Sequence, residues 1–289
     1  MKKSITLLLL LFGVSHIFAQ EFAEEAFNDT RVINSHSVEM IDQGLMDFRV
    51  YHRFGDLAGA QGGWQNFYGL ENSADVSIGL DYGINDNINI GIARTKGTGE
   101  LRQLVNSYAK FRLMRQQVDG KNPLSITVLS VATISTMRKS ETSGVLSFFP
   151  RFSNRLAYHS QLMIARRFNS RISAQLNLGY TYRDIVYDYD QNDIVSVGLS
   201  TRIRLTKATA FIFDSTYPLL VQDRDPPETY FFPISVGLEF ETGGGHVFQV
   251  NLTNARGITE TDYIPYTFSN WQDGEFRFGF TIARKFTVL

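Results

Sequence analysis

Beyond Gln20, apolar and polar side chains alternate one for one over much of the chain. Ala74 to Tyr82 sets Val76, Ile78, Leu80 and Tyr82 against Ser77, Gly79 and Asp81. Asn87 to Thr95 alternates Ile88, Ile90 and Ile92 with Asn89, Gly91 and Ala93, and Arg171 to Arg183 alternates Ile172, Leu176, Leu178, Tyr180 and Tyr182 with Ser173, Gln175, Asn177 and Thr181. Phe232 to Phe240 and Phe276 to Phe286 repeat the pattern. Successive side chains of a strand point to opposite faces, so this period predicts strands with one apolar and one polar face. Helical periodicity is nearly absent. Twelve strands are expected, at about 43–54, 74–84, 87–95, 104–115, 123–138, 153–168, 171–184, 193–205, 208–217, 230–241, 246–254 and 274–287. Segment 104–115 also accommodates a helix, and 123–138 is apolar on both faces.

The links between these segments carry a second period. Asn85–Asn87, Asn169–Ser170, Thr206–Lys207 and Thr242–Gly245 are short, with Gln116–Asn122 slightly longer, and the Asn, Asp and Gly in them suit tight turns. Gly55–Ser73, Lys96–Gln103, Lys139–Phe152, Ile185–Asn192, Pro218–Thr229 and Ala255–Asp273 are longer, and long and short are expected to alternate strictly. Bacterial outer-membrane barrels have short periplasmic turns at one rim and long external loops at the other. The strands approach the roughly 9–11 residues that a tilted strand needs to cross a bilayer. Inside lipid an open sheet edge has no water to satisfy its amides, so the sheet must close. The expected fold is therefore all-β, a closed up-and-down antiparallel transmembrane β-barrel of about twelve strands. Tyr51, Tyr82, Tyr180, Tyr182, Tyr217, Phe240 and Phe286 fall near strand ends, where an aromatic girdle would place them. A secreted β-sandwich or lipocalin-like barrel is the soluble alternative, but such folds lack systematic loop alternation.

The N-terminus agrees with export. Met1-Lys2-Lys3, the apolar run Ile5 to Phe12, and Ile17-Phe18-Ala19 before Gln20 have the layout of a cleaved signal peptide, residues 1–19. Residues 20–42 form an N-terminal periplasmic segment, either a tether or a piece tucked into the barrel with Arg31 or Glu39 pairing to lumen charges. Residues 43–289 form the barrel. The 28 Lys and Arg balance 29 Asp and Glu, which disfavours nucleic acid as a partner. The chain of 289 residues has no cysteine, which removes disulfides and thiolate metal sites.

Several short stretches resemble an uncharacterised family of Bacteroidota outer-membrane β-barrels, a domain of unknown function. They are Val50-Tyr51-His52-Arg53-Phe54-Gly55, Leu80-Asp81-Tyr82-Gly83, Lys110-Phe111-Arg112-Leu113, Thr30-Arg31-Val32-Ile33-Asn34, His36-Ser37-Val38-Glu39 and Asn251-Leu252-Thr253-Asn254-Ala255-Arg256-Gly257. The resemblance runs from about Phe27 to the C-terminus. It implies the outer membrane and a barrel, and it assigns no substrate or catalytic residue.

The polar strand faces supply candidate lumen residues. They are basic at Arg49, Arg53, Lys110, Arg112, Arg155, Arg167, Arg183, Arg202, Arg204 and Arg277, and acidic at Asp47, Asp81, Asp214, Glu239 and Glu275. This excess of cations predicts a narrow passage for small, anionic solutes, because a confined low-dielectric passage focuses the field of its lining. The alternative is a closed structural or interaction barrel whose lumen is filled by Arg–carboxylate pairs, since twelve strands lie between filled and open barrels. The partners expected are membrane lipid and small solutes.

Chemistry beyond this is thinly signalled. An outer-wall phospholipase would need His52 beside a serine on an adjacent strand, and the last strand offers none near its external end. His159 and Ser160 point to opposite faces, and His246 sits by the Gly243–Gly245 turn. Asp223-Arg224-Asp225-Pro226-Pro227-Glu228 matches no calcium-loop spacing and reads as a solvated loop. No cofactor or metal is expected.

Overall fold

In the computed structural model, residues 21–219, 229–242 and 245–287 are described. The stretch 1–19 read as a signal peptide, the Asp223–Glu228 run and Gly243-Gly244 lie outside them. Twelve antiparallel strands form one closed barrel in sequence order. They are β1 (Leu45–Phe54), β2 (Ser73–Asn85), β3 (Ile88–Thr95), β4 (Leu104–Met114), β5 (Ser125–Ser135) and β6 (Leu156–Arg167). The circuit continues through β7 (Ile172–Arg183), β8 (Asp193–Arg204), β9 (Thr209–Leu219), β10 (Ile234–Thr242), β11 (His246–Thr253) and β12 (Arg277–Thr287). Closure pairs β1 with β12 from Leu45↔Thr287 to Arg53↔Gly279. Segment 104–115, open to a helical reading, is strand β4, because Asn106, Tyr108, Lys110 and Arg112 share one face at period two.

The two faces of this wall have opposite chemistry. Ile78, Leu80, Ile92, Leu178, Leu199 and Ile282 are exposed on the outside, a continuous apolar surface far beyond what water tolerates on a soluble monomer. Asp47, Asp75, Asn89, Lys110, Gln175 and Asp214 are buried within. A soluble barrel is built the other way round. No helix among the described residues is long and apolar enough to cross a membrane; the apolar outer face belongs to the strands. Of the seven aromatic residues expected at the girdle, six face outward. Tyr51 does not: it belongs to the inward set Asp47, Arg49, Tyr51 and Arg53 and is 8% exposed. Its ring lies under the guanidinium groups of Arg31 and Arg49.

Long and short connections alternate with one departure. The β4–β5 link, residues 115–124, is longer than the 96–103 link at the opposite rim. It has a second task, because Phe22 bridges to Gln117, the Ala23 amide donates to the Gln116 carbonyl at 2.9 Å, and the Val118 amide donates to the Glu21 carbonyl at 3.1 Å. The N-terminal segment thus enters the barrel at the short-turn rim.

Candidate functional site: a lumen closed from both ends

From Ala26 to Ile41 nearly every residue is buried inside the barrel. The segment rises along the lumen and turns back on itself. The Ser37 amide donates to the Thr30 carbonyl at 2.9 Å, the Val32 amide to the Ser35 carbonyl at 3.0 Å, and Arg31 bridges to His36. The chain then descends to the rim, where the Gly44 amide meets the Gly83 carbonyl at 2.9 Å. Gly83 has no room for a side chain, since a Cβ would lie 2.2 Å from the Asp42 carbonyl oxygen and 2.5 Å from that of Ile41.

A hairpin-like insert without a full sheet partner must find bonds for its amides elsewhere. The wall supplies them. Asp214 accepts from the Asn34 and Ser35 amides, both at 2.7 Å, and from the hydroxyls of Ser35 and Ser200. Gln175 accepts from the Val38 amide and donates to the His36 carbonyl, each at 2.8 Å. Asn89 does the same for the amide and carbonyl of Ile41, at 2.7 and 2.9 Å. Lys110 Nζ donates to the Thr30 and Glu39 carbonyls at 3.1 and 2.9 Å. One side of the insert is apolar: Phe27, Val32, Ile33 and Val38 pack on Leu129, Val131, Met163 and Ile212. This explains why 123–138 is apolar on both faces, for β5 meets lipid outside and the insert inside.

Charge follows the same division of labour. Arg49 donates to both carboxylate oxygens of Asp29, at 2.7 and 2.5 Å, and also bonds Asp47 and Thr30. Burial alone would raise the Asp29 carboxyl; the Arg49 guanidinium overrides it and holds Asp29 below the ordinary carboxylate range. Arg31 and Glu39 do not pair with wall charges. Arg31 lies 3.4 Å from Glu260, in the β11–β12 loop, and Glu39 accepts from the Ala26 and Phe27 amides within its own segment.

The β11–β12 loop closes the other end. It carries the short helix α1 (Glu260–Tyr263), buried throughout, with Tyr263 and Ile264 packed on Ile194 and Ala255. Asp262 accepts from the Thr98 and Gly99 amides at 2.9 Å each. Arg53 joins the two closures, donating to Gly257 of the loop and to Asn34 of the insert. What remains at mid-lumen is a cavity of about 30 Å³ lined by Arg31, His36, Tyr51, Tyr108 and Glu260, enough for one or two waters at most. Both His36 ring nitrogens lack a hydrogen-bond partner there. Burial, and then the nearby Arg31, Lys110 and Arg49, push its pKa well below the usual value.

The candidate lumen residues fall as follows. Asp47, Arg49, Arg53, Asp81, Lys110, Arg112, Arg183, Arg202, Arg204, Asp214, Glu239 and Arg277 occupy inward positions of their strands. Arg202 is 2.9 Å from Glu239, and Arg183 pairs with Asp190 at the long-loop rim. Arg167 stands inside the short-turn rim beside Glu24. Arg155 and Glu275 lie just outside strands, Arg155 donating to the Ser135 and Met137 carbonyls and Glu275 accepting from the Asn270 amide at 2.8 Å. Sequence reading missed the acids facing these cations: Asp75 on β2, Asp29 from the insert, and Glu260 and Asp262 from the loop, all buried. Only the parity of Asp75 with Asp81 gave a usable signal. His52 faces outward with Phe280 and Val76 as strand neighbours, so no hydroxyl stands opposite it.

Fold and site together define a membrane-bound barrel whose lumen is filled by its own termini-proximal chain. The chain belongs to the membrane bound beta barrel domain family (DUF5777), which matches residues 27–286. The match thus includes the insert as well as the wall. Among solved structures it is similar to the NanC porin, at 8% identity and TM-score 0.48 over 84% of this chain and 100% of that one. It is also similar to the KdgM porin (8%, 0.45, 85% and 99%) and to the COG4313 outer membrane channel from Pseudomonas putida F1 (12%, 0.48, 88% and 100%). No curated protein matches it.

Proposed function

We propose that the chain is an outer-membrane barrel of the porin type, held shut at rest by its N-terminal insert and its β11–β12 loop, and that small solutes, anions ahead of cations, cross it when the insert withdraws and the loop, which Arg53 ties to it, moves aside. The observation that carries this reading is the chemistry of the wall beneath the insert. Asp214, Gln175, Asn89 and Lys110 bind main-chain groups of the insert through polar atoms that water could satisfy equally well. Withdrawal therefore exchanges hydrogen bonds without stranding them. It also removes Asp29 and Glu39 against the single cation Arg31, so the aqueous lumen becomes more basic although Arg49 keeps Asp47. The short-turn rim, where the insert enters, is periplasmic in this reading, as in other bacterial barrels.

A second reading, a permanently closed structural barrel, is favoured by the apolar contact of Phe27, Val32, Ile33 and Val38 with β5 and its neighbours. The two are separated by a disulfide. Asn34 Nδ2 lies 2.8 Å from Ser235 Oγ, and the chain has no cysteine to interfere. Planar-bilayer recordings of Asn34→Cys/Ser235→Cys should show anion-preferring openings under reducing conditions and none when oxidised. In the reduced protein, adding Arg202→Glu and Arg204→Glu should lower the anion preference. Silence in both redox states at every voltage favours the permanent closure.

A further inference from the structure

A larger cavity lies at the long-loop rim, above the closures, with Arg277 of β12 at its floor. Its volume is about 410 Å³, within the range of small-molecule sites, and it is walled by the 55–72 and 96–103 loops. Four cations line it: Lys96, Arg102, Arg256 and Arg277. Among the described residues none of them has a carboxylate within 4.0 Å. Where their bonds are made, these go to main-chain carbonyls: Lys96 to Ser73 at 2.8 Å, Arg102 to Gly99 at 3.4 Å and Arg277 to Asn254 at 3.1 Å. Each such bond uses one donor of a group that carries several.

The acids nearby are occupied. Asp56, the one carboxylate on the cavity wall, accepts from the Gly59 and Gln61 amides at 3.1 and 3.2 Å. Asp75 accepts from the Gly97 and Ile258 amides at 3.0 and 3.1 Å, and Asp262 from Thr98 and Gly99. Backbone amides thus satisfy the carboxylates from within the fold, while the cations lining the cavity keep donors to spare. Asn66 and Asn72 add amide side chains to the lining, which can bond an oxygen-rich ligand without further charge.

We propose that this vestibule binds a small soluble oxyanion bearing more than one anionic group, phosphate or carboxylate. Guanidinium groups suit both, since their paired N–H donors match two oxygens at once. A free solute is favoured over a lipid headgroup because the lining comes from the 55–72 and 96–103 loops and from the inward-facing Arg277, whereas a headgroup would have to arrive laterally from the bilayer. Binding needs only the folded loops and does not require the insert to move, so it stands or fails apart from permeation.

The test is isothermal titration of the full chain, folded in zwitterionic detergent, with inorganic pyrophosphate and with citrate. Saturable one-to-one binding of either anion, weakened about tenfold or more in Arg102→Gln/Arg256→Gln, is expected, as loss of two charge-assisted contacts implies. Both side chains are exposed, so folding should persist and is checked by heat-modifiable gel mobility. Arg171→Gln, which removes an exposed cation at the opposite rim, should bind like the parent, as should the oxidised Asn34→Cys/Ser235→Cys chain. The proposal is overturned by absence of saturable binding of either free anion, which is also the result a site for lipid headgroups would give, or by equal weakening in Arg171→Gln.

Discussion

Asp214 is the wall residue that holds the tip of the insert, and its removal gives a quantitative prediction. Its carboxylate takes four hydrogen bonds, two of them from the consecutive amides of Asn34 and Ser35. Asp214→Ala leaves both amides without an acceptor inside a buried site. An orphaned buried donor costs about 1–3 kcal/mol, so roughly 2 for each gives about 4 kcal/mol of lost docking free energy. At about 1.4 kcal/mol per decade, the undocked population rises about a thousandfold. Asp214→Asn keeps an oxygen where the two amides point and loses only the charge, which limits the effect to about 1 kcal/mol. Native-state hydrogen exchange in detergent reads this directly. Protection of Asn34 and Ser35 should fall by about a thousandfold in the alanine variant and tenfold or less in the asparagine variant, with β7 and β8 amides unchanged. Unchanged protection at Asn34 and Ser35 in Asp214→Ala would refute the claim that this carboxylate anchors the insert. An equal loss across the strands would show that insert and wall open only together.

Two further outcomes follow from the same arrangement. His36 is neutral in the closed lumen, faced by Arg31, Lys110, Arg49 and His159, with Glu260 at 3.9 Å already engaged by Arg31. Its pKa is depressed when docked, so docking is at full strength above the ordinary value of 6.5 and weakens as pH falls below it, by about tenfold per pH unit in the undocked population. In His36→Phe, which fits the edge contact with Tyr108, that pH dependence should disappear from exchange of residues 31–37. Leu178 faces lipid midway along β7, beside Leu162 and Val197. Leu178→Arg should destabilise folding into phosphatidylcholine vesicles by about 2–4 kcal/mol in urea titration, whereas a soluble barrel would tolerate the change.

The wall was legible in the sequence because lipid and lumen impose period two on every strand. Even the ambiguous 104–115 segment kept Lys110 and Arg112 on the polar face. The insert was legible only as one of two options for residues 20–42, tether or tucked piece, since Asp29 to Ile41 has no period and takes its bonds from residues far along the chain, such as Asp214 and Gln175. One signal did point to it. Leu129, Val131, Met163 and Ile212 sit on inward positions, and apolar side chains there require an apolar partner inside the barrel. Charge misled in a related way: the wall taken alone is strongly basic, but Asp29, Glu260 and Asp262 arrive from segments that a strand-based census leaves out.

Ser37 lies at the heart of the closed lumen, with no solvent exposure, in a chain free of cysteine. The most direct test of the closure is therefore the labelling rate of Ser37→Cys by a membrane-impermeant maleimide, compared with Thr142→Cys on an exposed loop. A closed lumen predicts that Cys at 37 labels far more slowly from either side, and faster when Asp214→Ala is added. Labelling at 37 as fast as at 142 in the otherwise unaltered chain would mean that the lumen is open and would contradict the account.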